Sequence, residues 1–156
     1  MAETQTELLK GLPPDEVDRI LALGRRLSLA SGEELFQLGS AAECLYVVER
    51  GRIKLTLPIQ VRGQKEDVFV EERSSGQTVG WSALIPPYRF TLRATTLLES
   101  EVIALPRVAL QAYLAANSDV GYTVALNLAS VIGQRLQHFQ AMWLREVQRL
   151  VEVRCA

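Results

Sequence analysis

The chain has 156 residues, 48% of them hydrophobic and 22% charged, with a formal net charge of −1 and a sequence pI near 5.9. That balance fits one globular domain with a real core and excludes the basic footprint of a nucleic-acid binder. The single histidine, His138, and two scattered cysteines, Cys44 and Cys155, exclude a disulfide framework, a zinc knuckle and a histidine-rich metal barrel, and leave a Ser-His-Asp enzyme without an orienting acid near its histidine.

The N-terminal stretch carries acidic residues and no apolar h-region, and no apolar run reaches the ~18 residues of a membrane span. A cytoplasmic protein with free thiols and no membrane partner is therefore expected. Glu7 to Lys10 forms a short helix that stops at Gly11 and Pro13-Pro14. A second helix opens at Pro14-Asp15, with Val17, Ile20, Leu21 and Leu23 on one face and Gly24 as its stop.

From Arg26 to Leu105 the period changes to short apolar runs punctuated by Gly, Ser and charge. The strands expected are Leu27–Ala30, Glu34–Phe36, Leu45–Glu49, Arg52–Leu57 (ending at Pro58), Val68–Val70, Thr91–Thr95 and Glu101–Leu105, with a turn at Arg62–Lys65. Strands at this spacing indicate a sandwich or barrel.

After Pro106 a short helix spans Val108–Leu114, and Asn117-Ser118-Asp119 caps a long one from about Val120 to Val153. Ile132, Leu136, Phe139, Trp143 and Leu150 step by four, three, four and seven, a heptad-like seam. About 30 residues at ~1.5 Å each would outreach the domain, so the seam calls for a partner helix. A break near Gly133 with a fold-back hairpin is the alternative; no turn dipeptide marks one.

Several stretches carry a family likeness. Gly32-Glu33-Glu34-Leu35-Phe36-Gln37-Leu38-Gly39-Ser40 and Leu45-Tyr46-Val47-Val48-Glu49-Arg50-Gly51-Arg52-Ile53-Lys54-Leu55 read as two strand pairs. Gly76–Gly80 reads as the lead-in to a phosphate-binding cassette, and Arg93-Ala94-Thr95 and Val102–Pro106 as the strands that follow it. From about Leu8 to Leu150 the chain resembles the cyclic-nucleotide-binding sensor domains of CRP/FNR-type regulators, without their helix-turn-helix domain. The resemblance implies a mainly β fold with flanking helices: a double-stranded β-helix, or jelly-roll-like β-roll, plus a long C-terminal dimerisation helix. It implies one domain over 1–156, with N-terminal helices at 8–26, the β-roll at 27–106 and C-terminal helices at 107–153. It further implies an effector-sensing, non-enzymatic role in signal transduction, as a homodimer paired through Ile132, Leu136, Phe139, Trp143 and Leu150 and acting on a downstream protein the sequence does not identify. Such regulators continue into a DNA-binding helix-turn-helix. This chain stops at Ala156, so DNA binding is not expected of it.

In such a cassette, backbone N–H groups at a helix start face the phosphate, an acid accepts the ribose hydroxyl and an arginine pairs with the phosphate. The corresponding residues are Gly80, Trp81, Ser82, Ala83, Tyr88, Arg89, Phe90 and Thr91. Trp81 stands where the ribose acid belongs and Tyr88 where the arginine belongs, with Arg89 one residue late. On the long helix, alignment through Arg135-Leu136 turns Phe139 and Gln140 toward a ligand. Three occupants stay open: a cyclic nucleotide, another small effector, or Trp81 itself in a ligand-free pseudo-sensor that serves as a dimerisation or docking scaffold. No cofactor or metal is required by any of them.

Overall fold

A computed structural model describes residues 6–155. A 3-10 turn at Glu7–Leu9 and helix α1 (Pro14–Leu21) precede eight strands: β1 (Arg25–Leu29), β2 (Glu34–Phe36), β3 (Cys44–Arg50), β4 (Arg52–Val61), β5 (Gln64–Ser74), β6 (Thr78–Val79), β7 (Arg93–Thr96) and β8 (Ser100–Pro106). A second 3-10 turn, Trp81–Leu84, separates β6 from β7, and α2 (Arg107–Ala116) and α3 (Ser118–Cys155) complete the chain. The fold is mainly β with flanking helices and a long C-terminal helix.

The strands form two antiparallel four-stranded sheets, ordered β1-β8-β3-β6 and β2-β7-β4-β5. Apart from the β4–β5 hairpin, successive strands thus cross between sheets, which is the jelly-roll pattern and brings distant segments side by side. One apolar core joins Leu45, Val48, Ile53, Leu55, Val79 and Leu105 from the strands to Leu8, Leu9, Ile20, Leu110 and Val124 from the helical segments. In β8 the four residues Val102–Leu105 are all buried in succession, as in a strand covered on both faces.

Two local expectations need correction, and that of a continuous long helix is met. β4 does not end at Pro58 but runs to Val61. Its ladder with β7 stops at Thr56, while pairing with β5 continues through Pro58 opposite Asp67. The missing N–H of Pro58 is tolerated because one side of β4 has no neighbour there. The β4–β5 turn is tighter than Arg62–Lys65: Arg62 and Gly63 both take positive φ, 52° and 79°, the two-residue hairpin geometry that matches strand twist. The long helix passes Gly133 unbroken, so no hairpin forms.

Over its 38 residues α3 would extend about 57 Å at 1.5 Å per residue. Val124, Leu128, Val131 and Arg135 are buried, whereas every residue from Trp143 to Cys155 except Val147 is exposed. The first half is thus bound to the roll and the second half leaves it. No helix among the described residues is long and apolar enough to cross a membrane.

Candidate functional site

Gly80 ends β6 with φ 82°, and a Cβ there would lie 2.9 Å from the Phe90 ring, so both backbone conformation and space favour glycine. The chain then winds into the Trp81–Leu84 turn, which buries Ser82 and Ala83. Past a cis Pro86-Pro87 peptide, Tyr88 takes a left-handed φ of 59°, unusual for a residue with a side chain. Its surroundings hold it there. Its N–H donates to the Ile85 carbonyl at 2.9 Å, its carbonyl accepts from Ala42 N–H at 2.8 Å, and the Arg107 guanidinium lies 4.2 Å from its ring centre. Arg107 is fixed in turn by donating to the Ala42 carbonyl at 2.6 Å.

Gly80, Trp81, Ser82, Phe90 and Thr91 line a cavity together with Phe36, Leu55, Leu92 and Arg135. Its volume is about 10 Å³, room for about one water and far below the few hundred Å³ of a small-molecule pocket. The Phe36 and Phe90 rings stack with centroids 3.7 Å apart, and Trp81 packs half-buried against the core. Own side chains fill the space.

The structure separates the remaining sequence candidates from this wall. Ala83 lies in the core beside it. The exposed Arg89 donates to the Gly39 carbonyl at 3.0 Å, and its backbone bridges to Ala41. Arg89 is therefore spent on the loop between β2 and β3. Tyr88 is engaged with Arg107, and Gln140 is exposed. The seam expected on α3 divides: Ile132 and Phe139 pack against the core of the roll, while Leu136, Trp143 and Leu150 are 57%, 69% and 63% exposed.

The cation in the cavity wall is Arg135, which sequence reasoning used only as an alignment anchor. It is 7% exposed. Its Nε and Nη2 reach Glu71 Oε1 of β5 at 2.8 and 2.5 Å. Burial lowers its pKa and the Glu71 carboxylate opposes that shift. Behind it, Arg73 lies 3.6 Å from the same carboxylate oxygen and pairs with Glu7. One helical turn on, His138 Nε2 sits 2.5 Å from the Val70 carbonyl. An arginine inside an apolar helix face, opposite a strand carrying Glu71 and Arg73, was the available signal; only the fold pairs them.

Comparison with known proteins places these features in a series. The profile of a family described as "Cyclic nucleotide-binding domain" matches residues 26–117. The cyclic AMP receptor protein of Thermus thermophilus is 28% identical over 130 residues, 83% of this chain and 57% of that protein. The crystal structure of the Thermus thermophilus catabolite activator protein matches with a TM-score of 0.74 at 25% identity, covering 92% of this chain and 63% of its own. The c-di-GMP responsive global regulator CLP of Xanthomonas campestris shares the fold at a TM-score of 0.76 and 18% identity, with 85% of this chain and 64% of its own covered. The chain spans less than two thirds of each of these three proteins.

Proposed function

This chain belongs to the cyclic nucleotide-binding domain family, and we propose that it is an effector-sensing signalling domain rather than an enzyme. One observation carries the proposal: a single residue of α3, Arg135, is both a wall of the cassette cavity and the helix's ionic attachment to the roll. Because the cavity holds only about 10 Å³, an effector enters only if Trp81, the Phe36–Phe90 stack or α3 moves. Occupation is then coupled to helix position by space alone, and the free energy of binding is what shifts the equilibrium. The downstream half of α3 carries that shift outward.

The residue chemistry argues for an effector other than a cyclic nucleotide held in the family's usual way. Trp81 replaces the ribose acceptor with an apolar surface, and Arg89 is committed to Gly39. Exposed Leu126, Leu136, Trp143 and Leu150 with Gly133, which has open space where a Cβ would stand, lie along the face of α3 turned from the roll. A second copy of the helix is the natural cover for that face.

The filled cavity favours a second reading, a ligand-free scaffold that kept the fold for dimerisation. Titration calorimetry with cAMP, cGMP, c-di-GMP and a panel of flat, weakly polar metabolites separates the two. Sensing predicts heat for one of them, and a weaker response in Trp81→Ala or Arg135→Leu. Silence across the panel, with no thermal shift, would sink sensing and leave the scaffold.

A further inference from the structure

The residues before the roll make a set of contacts that the sensing reading does not use. Glu7 N–H donates to the Gly76 carbonyl at 2.8 Å, placing the N-terminal 3-10 turn against the loop that leads into β6. One oxygen of the Glu7 carboxylate accepts from Thr78 N–H at 2.9 Å and Thr78 Oγ1 at 3.0 Å, and pairs with Arg73. Arg73 also donates through Nε to the Thr78 carbonyl at 3.1 Å. Thr78 is thus gripped at both backbone groups and its hydroxyl, two residues before the cassette glycine. On the far side of the same turn, Asn127 of α3 donates to the carbonyls of Leu8 and Lys10, each at 2.8 Å. Leu8 and Leu9 between these grips are 0% and 2% exposed and anchor the turn in the core.

We propose that the N-terminal turn, residues 6–10, is a coupling clasp that ties the cassette's lead-in strand β6 to helix α3, with Glu7 and Asn127 as its positioning residues. Two polar routes join α3 to Thr78. One runs Arg135–Glu71–Arg73–Thr78 through β5, and the other runs Asn127–turn–Glu7–Thr78 through the N-terminus. The attachments on α3 are eight residues apart, about 12 Å along the axis. The helix is therefore held at two levels, and tilting it against the roll strains one grip or the other. The first route is charge-balanced only when Glu7 is present: Arg73 and Arg135 are each at most 7% exposed and face the two carboxylates Glu7 and Glu71. Buried charges lose far more from a missing partner than they gain from a present one. The clasp gives the N-terminal segment a regulatory role, since whatever displaces it frees β6 and α3 together.

The test is hydrogen exchange read by mass spectrometry on the full chain without effector, so a failed ligand search leaves it undisturbed. Asn127→Ala keeps helix propensity and removes only the grip on the turn. It should speed exchange at 78–84 by about tenfold, the scale of losing a hydrogen-bonded pair from a local opening equilibrium. Gln134→Ala, at an exposed position of α3, should leave that segment unchanged. Thr78→Val should in turn speed exchange at 6–10 and 123–131. Glu7→Gln should do both; should it fail to fold, the other two variants decide. Faster exchange confined to the neighbours of each substituted residue, or a uniform rise that includes β3 and β8, would overturn the clasp.

Discussion

Thr56 is 2% exposed, and its Oγ1 is the one buried side-chain polar atom among the described residues without a hydrogen-bond partner. It sits where β4 bulges against β5, beside Leu55 of the cavity wall. Replacing it with valine keeps the β-branched shape and removes the unsatisfied hydroxyl. Thr56→Val should raise stability by about 1 kcal/mol, read as a higher urea midpoint with an unchanged slope. A lower midpoint would mean that the hydroxyl has a partner in solution. The cysteines diverge for a similar reason. Burial pushes the Cys44 thiol above its ordinary pKa, while Cys155 is exposed at the end of α3. A thiol held protonated is a poor nucleophile. Titration with a thiol reagent near pH 8 should therefore show one fast thiol per chain, lost in Cys155→Ser. The composition could place neither effect, since both depend on what the fold packs around the side chain.

At the scale of elements, α3 is two helices in one. As far as Phe139 it packs Val124, Leu128 and Val131 on the roll, and from Trp143 onward it has only an exposed apolar edge. The spacing of four and three was legible in the sequence, but two interleaved faces share it. Ile132 and Phe139 belong to the roll, Leu136 and Trp143 to the outside. Residues three and four apart on a helix lie close enough that a list of apolar positions cannot say where one face ends. Gly133 lies within the roll-bound part, yet nothing stands within 4 Å of its Cβ position. Gly133→Ala should stabilise the isolated chain by about 1 kcal/mol through helix propensity, read by thermal melting at low concentration. If α3 pairs closely with a second copy at that point, the same variant should weaken association. A melt unchanged by the substitution would show that the helix is frayed there in solution.

For the whole molecule, the proposed helix pairing is tested at Trp143, which is 69% exposed on a helix that leaves the roll. Sedimentation should find a dimer for the parent chain and a monomer for Trp143→Asp, with the roll's melting intact in both. A monomeric parent chain would remove the paired helix. Trp143 suits this test better than Phe139, because an aspartate at Phe139 would disturb the roll as well as the seam. Seven of the eight strands and the long helix could be read from turn glycines, apolar periods and a family resemblance, whereas the two-residue β6 could not.

The sequence alone determined the sheet-rich centre and the helical ends, because local period and turn chemistry act over a few residues. Tertiary structure decided the rest. Arg89 goes to Gly39, Arg135 becomes the cavity's cation, and the N-terminal turn grips both β6 and α3. Each of these joins residues more than about 40 positions apart, and a buried charge is placed by the partner that neutralises it rather than by its neighbours in the chain.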